Sequence, residues 1–173
     1  MSRIDDLIDE LCPRGIESPT LGDLCRIRSG AAVSKVSIGQ NPGTYPVINS
    51  GREPLGYIDS FNTEDDPIGI TSRGAGVGSI TWCEGRYFRG NLNYSVTALD
   101  RSLIETRFLY HSLLFLQPRI QQLCTYQGIP ALNKVNLEKL PVSIPPLEIQ
   151  QEIVRILDTF TELEAELEPR RLR

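Results

Sequence analysis

The sequence predicts an α+β chain, a domain of short twisted β-strands with packed helices followed by a long C-terminal coiled-coil-forming helix. Three observations predict it. From residue 21 to about residue 100, short runs of β-branched and aromatic residues are cut by glycine and asparagine turns. From Ser102 onward apolar residues recur at helical spacing, and beyond Pro145-Pro146 one regular apolar seam runs to Leu167. The 173 residues are 40% apolar and 23% charged, close to globular averages, so wholesale disorder is excluded. The longest apolar stretch, near residues 113–116, is far too short to span a bilayer, so no membrane role is expected.

Residues 1–13 read as an amphipathic helix: Ile4, Leu7, Ile8 and Leu11 fall at i, i+3, i+4 and i+7. Ser2 with Asp5 forms its cap, and Cys12-Pro13-Arg14-Gly15 stops it. Residues 14–145 form the main domain, with strands expected at 25–28, 45–49, 56–61, 68–72, 79–83 and 94–99. Gly74, Gly76 and Gly78 punctuate these strands as turns. Ser102 and Glu105 make a capping-box pattern ahead of Phe108, Leu109, Leu113 and Leu116, and Pro118 breaks or restarts that helix before Cys124. A connecting stretch then leads to one more extended run at 141–145.

Residues 146–173 form a C-terminal helical segment, expected to be helical over 147–168 and to end at Pro169. Ile149, Ile153, Ile156, Phe160, Leu163 and Leu167 are separated by 4, 3, 4, 3 and 4 residues, the spacing of a coiled-coil seam that pairs with a second copy or another partner. Val154 and Leu157 widen the stripe, so the same pattern also fits a helix folded back on its own domain.

Rare residues narrow the chemistry. The only histidine is His111, so no histidine-pair metal site is expected within the chain, and mid-helix among leucines it reads as packed or surface. Cys12, Cys25, Cys83 and Cys124 lie 13, 58 and 41 residues apart, without zinc or redox spacing, and fit a reduced cytoplasm. The N-terminus shows no apolar export region. The segment from Gly74 to Gly78 lacks a dinucleotide fingerprint, and Pro145-Pro146 lacks the flanking residues of an amino-methyltransferase motif. Glu64-Asp65-Asp66 has no nearby lysine for nuclease chemistry and reads as a solvated loop. No catalytic or metal-ligating residue is expected.

Reading DNA needs cations for phosphates and planar or amide side chains for base edges. Residues 73–94 concentrate Arg73, Arg86, Arg89, Asn91, Asn93, Tyr87 and Tyr94, with only Glu84 opposing them. Lys35, Asn49, Arg52 and Gln127 are further candidates on flanking loops. The alternative stays open, since asparagine beside glycine is an ordinary turn residue and Tyr87 and Phe88 suit a core.

The order of these parts resembles the specificity subunit of type I restriction-modification systems. The likeness is carried by the opening helix, Leu21-Gly-Asp-Leu24, Tyr45-Pro-Val-Ile-Asn-Ser-Gly51, Ser72-Arg-Gly-Ala-Gly-Val-Gly-Ser79 and Asn91-Leu-Asn-Tyr94. The closing signature is the most specific, Gln127-Gly-Ile-Pro-Ala-Leu-Asn133 followed by Leu137-Glu-Lys-Leu-Pro-Val-Ser-Ile-Pro-Pro146 and the helix. The resemblance implies a non-catalytic subunit that binds double-stranded DNA by sequence and directs methyltransferase (modification) and restriction subunits to a target. S-adenosylmethionine, Mg and ATP then belong to the partner subunits, and this chain binds no cofactor. Family members resemble two tandem units of this kind; one unit is present here, a half-length form. A homodimer through the C-terminal helix then restores two recognition domains. The competing reading is a protein-interaction module that holds modification or specificity subunits without reading DNA.

Net charge divides accordingly. The whole chain carries −4, but residues 1–20, 21–145 and 146–173 carry −3, +2 and −3. The acidity belongs to the helices, and the recognition domain is mildly basic.

Overall fold

The computed structural model describes residues 2–171. Helix α1 (Arg3–Leu11) starts with the expected reciprocal cap: Ser2 Oγ accepts from the Asp5 N–H, and the Asp5 carboxylate accepts from the Ser2 N–H at 2.8 Å. The same device at Thr20 and Asp23 opens α2 (Leu21–Leu24), a single turn too short to show a period in sequence. Then follow β1 (Cys25–Ser29), α3 (Lys35–Gln40), β2 (Pro42–Ile48), β3 (Tyr57–Ile58), β4 (Thr63–Glu64), β5 (Ile68–Thr71), β6 (Ile80–Trp82), β7 (Arg86–Arg89) and β8 (Asn93–Ala98). The chain continues through α4 (Thr106–Gln122), β9 (Cys124–Thr125), β10 (Ala131–Leu132), α5 (Lys134–Glu138) and α6 (Leu147–Arg171).

Two four-stranded sheets result. The first is antiparallel throughout, in the order β1-β8-β5-β6. The second has the order β3-β2-β7-β4 and contains one parallel pair, β2 with β7. Alternation gives the first sheet one apolar face, with Ile27, Ile68, Ile70, Ile80 and Val96 buried against Phe108, Leu109, Leu113 and Ile120 of α4. Leu21, Leu137, Leu140 and Val142 close that core.

Several expectations are corrected. Helix α4 is continuous through Pro118, because Leu113, Leu116 and Ile120 on both sides of it are buried on one face and outweigh the one lost backbone donor. Ser102 does not cap α4. The Asp100 carboxylate takes its N–H and hydroxyl in the preceding turn, and the N-cap is Glu105, whose N–H donates to Gln150 Oε1. The run at 141–145 makes only isolated bridges, Thr20 to Pro141 and Glu17 to Ile144, since its prolines leave too few donors for a ladder. The strand expected over 56–61 shrinks to Tyr57–Ile58, and β4, β7, β9, β10, α3 and α5 were not expected. The glycines at 74, 76 and 78 do form the turn joining β5 to β6, with Gly78 N–H donating to the Thr71 carbonyl. Helix α6 passes through Pro169 to Arg171; residues 172 and 173 of the expected spacer lie outside the described residues.

The seam on α6 splits in two. Ile149 is buried against Leu7 and Cys12 of the N-terminal segment, and Ile153 joins that cluster to the main core. Ile149 and Ile153 are therefore internal contacts and not part of a dimer face, and Ile156 is half-buried between them and the exposed turns. Gln150, fully buried, donates to the Leu103 and Pro145 carbonyls at 2.8 Å each while accepting from Glu105. Two turns on, Asp158 receives Arg107 Nε at 3.0 Å and sits 2.7 Å from His111 Nε2. Beyond this clamp the helix leaves the domain, and Phe160, Leu163 and Leu167 are exposed.

Gln150→Ala is expected to destabilise the chain by about 2–4 kcal/mol, since it strands one buried and two part-buried polar partners; an unchanged urea midpoint would show that α6 is held elsewhere. Burial alone would raise the Asp158 carboxyl, but hydrogen bonds from Arg107 and His111 hold it below the ordinary 3.8. A depressed carboxyl contributes stability above its unfolded pKa and loses it as pH falls through the folded one. Unfolding followed from pH 7 down to below 3.8 is therefore expected to show a smaller acid-dependent loss in Asp158→Asn than in the unaltered chain; equal losses would remove Asp158 from the clamp.

Candidate nucleic-acid interface

The polar face of the first sheet packs on the second sheet through one buried cluster. Arg89, the last residue of β7, is 3% exposed. Its Nη1 donates to Asn93 Oδ1 at 2.5 Å and to the Tyr94 carbonyl at 3.2 Å, both on β8. Its Nη2 donates to the Asp66 carbonyl at 2.7 Å and to the Tyr87 hydroxyl. That hydroxyl in turn donates to the Asp66 carbonyl at 2.6 Å, and the Asp66 carboxylate lies 3.8 Å from the guanidinium. Burial pulls Arg89 below its ordinary pKa, against the opposing pull of Tyr87 and Asp66; burial likewise pushes the Tyr87 phenol up. Gly69 on β5 makes room for this cluster, because a Cβ there would run into the Asn93 amide and Thr81 Oγ1.

Four loops meet at the end of the sheets next to this cluster. Gly90 N–H donates to the Ile48 carbonyl, and Leu92 N–H donates to Asn49 Oδ1 at 2.9 Å. Ser72 N–H donates to the Leu92 carbonyl, Leu132 N–H to the Ser72 carbonyl, and Gly74 N–H to the Pro130 carbonyl. These bonds fix segments 49–55, 72–78, 90–93 and 126–131 against one another. On the rim they form, Arg52, Arg73, Asn91 and Gln127 are exposed, and neither arginine is in an ion pair among the described residues. Glu53 is the one carboxylate within the rim segments.

The structure thus sorts the sequence candidates. Arg52, Arg73 and Asn91 share the rim with Gln127, and Lys35 is exposed at the start of α3, four residues past Ala31, which bridges to Gly90. Arg89 and Asn93 are corrected from DNA contacts to internal braces: both are buried and hydrogen-bonded to each other. Tyr94 is half-buried with its hydroxyl donating to the Leu132 carbonyl, and Asn49 is a buried loop brace. Arg86 is exposed but lies at the far end of β7, bound to Glu64 at 2.6 Å with its guanidinium over the Phe61 ring. The acidic loop is likewise engaged instead of simply solvated, since Glu64 belongs to β4 and Asp66 accepts from Thr97. Sequence reasoning missed Arg26 and Arg28, exposed on β1 around the buried Ile27. Among the described residues no group of three or more His, Cys, Asp or Glu is placed to hold a metal ion, and no helix is long and apolar enough to cross a membrane.

The profile of the type I restriction modification DNA specificity domain matches residues 13–172. The chain belongs to that family. Its relatives include a putative type I specificity subunit N-terminus of Mycoplasma pneumoniae, 30% identical over 84% of this chain and 78% of the relative. Another, the MpnII specificity subunit of the same organism, is 30% identical over 82% of this chain and 42% of its own length. Among solved structures, the type I S subunit from M. genitalium superposes with a TM-score of 0.79 at 24% identity, over 90% of this chain and 41% of that one. The chain thus spans less than half of those two longer subunits. Specificity domains are the non-catalytic recognition part of such systems, in agreement with the absence of catalytic motifs expected from the sequence.

Arg89→Ala is expected to cost the specificity domain about 3–5 kcal/mol in urea unfolding, because it removes four buried or part-buried hydrogen bonds and leaves Asn93 Oδ1 without its donor, while Tyr87 and the Asp66 carbonyl keep only each other. Arg89→Lys is expected to recover only part, since an ammonium lacks the planar fork that serves four acceptors. An unchanged midpoint in both variants would show that the two sheets are joined by other contacts.

Proposed function

We propose that this specificity domain reads double-stranded DNA through the rim of its four joined loops, and that two copies pair through the outer half of α6. The observation that carries the reading is the convergence of Arg52, Arg73, Asn91 and Gln127 on one braced edge, with neither guanidinium in an ion pair among the described residues. Arginine forks onto guanine and onto phosphates, while asparagine and glutamine pair with the adenine edge. A net charge of only +2 on the recognition domain supports weak non-specific binding by the isolated chain, with methyltransferase subunits completing the grip and a restriction subunit joining for cleavage. In that division S-adenosylmethionine, Mg and ATP sit on the partner subunits, and the complex works in the cytoplasm.

Pairing is supported by the exposed part of the seam. Phe160, Leu163 and Leu167 recur at spacings of 3 and 4 beyond the clamp, with Phe160 61% exposed. Their burial in a second helix contributes on the order of 1.5–3 kcal/mol each before ordering costs. A twofold pair presents the same rim twice and so reads an inverted, interrupted target.

Selection from random duplexes by the chain with its modification subunits is expected to recover one sequence. Arg73→Ala and Asn91→Ala are each expected to weaken that sequence by about 1–3 kcal/mol relative to scrambled DNA. Only salt-sensitive background, with no selected sequence, would favour the protein-interaction module instead. In light scattering, Phe160→Glu with Leu163→Glu is expected to convert a dimer to a folded monomer; a dimer that survives would place the interface elsewhere.

A further inference from the structure

We propose that the groove between the two four-stranded sheets is a second DNA contact, in which Arg26 and Arg28 hold the phosphodiester backbone without reading bases. The inference rests on the DNA-reading role proposed above and adds to it a place and a chemistry. Strand β1 is an edge of the first sheet, and its middle residue, Ile27, is buried in the core. Alternation therefore turns Arg26 and Arg28 to the opposite face, about 6.6 Å apart along the strand. There they stand across from Thr97 and Ser95 of β8 and line a groove of about 520 Å³ whose far wall includes Asn62 and Glu64.

The electrostatics of this groove are those of an anion site. Its two carboxylates are already engaged: Glu64 holds Arg86, and Asp66 accepts the Thr97 hydroxyl at 3.0 Å beside Arg89. Among the described residues neither Arg26 nor Arg28 is in an ion pair. The groove thus carries two uncompensated guanidiniums facing solvent. A groove whose lining side chains are polar apart from Gly30 and Ala31, with no large apolar side chain, suits an extended polyanion and not an apolar ligand.

Its position links it to the rim. Leaving β1, the chain passes through Gly30, whose N–H donates to the Asn93 carbonyl, and Ala31, whose N–H donates to the Arg89 carbonyl. Gly30 is pressed onto the Arg89 and Gly90 carbonyl oxygens, leaving no room for a Cβ. Those contacts seat the groove's end beside the loop bearing Asn91, so Arg28 and Arg26 recede from the rim in a row. A duplex read at the rim has its sugar-phosphate strand continue along that row. The competing role for charged residues on an edge strand is to block strand-to-strand aggregation, which requires no DNA contact.

The test uses the full chain with its modification subunits, titrated with salt on a duplex carrying the selected sequence and on a random-sequence duplex. Arg26→Ala with Arg28→Ala is expected to weaken both duplexes alike, by roughly ten- to thirtyfold near 0.15 M salt, and to flatten the slope of log affinity against log salt by about 1.8. Arg26→Lys with Arg28→Lys is expected to keep most of the slope, because phosphate contact needs charge more than a fork. Urea midpoints of these variants are expected to match the unaltered chain. Unchanged affinity and slope, in a complex where Arg73→Ala still lowers sequence preference, would overturn the groove and leave the rim standing. So would a change in which sequence is selected, since backbone contacts carry no sequence information. No DNA binding by the unaltered complex would overturn the rim reading itself.

Discussion

Arg89 is the buried side chain that joins the two sheets, beside the backbone bridge of Ala31 to Gly90. Its guanidinium comes from the second sheet and bonds the side chain and backbone of the first, and it also reaches the carbonyl of Asp66 in the link between β4 and β5. Taking a guanidinium out of water is costly unless nearly every donor finds an acceptor. Nη1 and Nη2 do so here, and only Nε lacks a partner. The arrangement in turn dictates its neighbours: asparagine at 93, a phenol at 87, and glycine at 69 and 90 where a Cβ would meet Asn93 or Asn49. Once the sheets are fixed, the ends of β2, β5 and β7 are fixed too, and so are the loops leaving them.

The result is a rigid frame with an exposed polar edge, a division that suits sequence recognition. The braces are buried and mutually dependent, so they tolerate little change. The rim residues Arg52, Arg73, Asn91 and Gln127 project from loops whose backbone bonds are already made, so their side chains are free of structural duty. Helix α6 repeats this division along its length. Its first turns are held by Gln150, Ile149 and Asp158, which set the angle at which it leaves the domain. Its outer turns keep an apolar stripe in the open, flanked by Glu162, Glu164 and Glu166. The helix direction is therefore coupled to the recognition domain through a stiff joint.

Much of the frame was legible in the sequence. The period of residues 4–11, the leucines of α4 and the alternation in β1 and β8 each declare their element, because burial of one face writes itself into spacing. The short elements were not. Single-turn helices and two-residue strands, such as α2 and β9, are held by tertiary hydrogen bonds and leave no period. Arg89 misled for a different reason: arginine is rarely buried, and nothing in Arg86-Tyr-Phe-Arg89 distinguishes the end bound to a surface glutamate from the end bound inside. Arg26 and Arg28 carried a usable signal in their alternation around Ile27, which an expected strand at 25–28 already contained. The seam of α6 was read correctly as apolar, but spacing alone does not say which part of a stripe its own domain covers.

The most direct measurement is the methylation motif of DNA from cells that carry this chain together with its modification subunits. A rigid recognition frame presented twice by a paired spacer helix is expected to yield one interrupted inverted repeat, with identical specified bases in its two halves. An asymmetric motif, or modification without a defined sequence, would contradict the account.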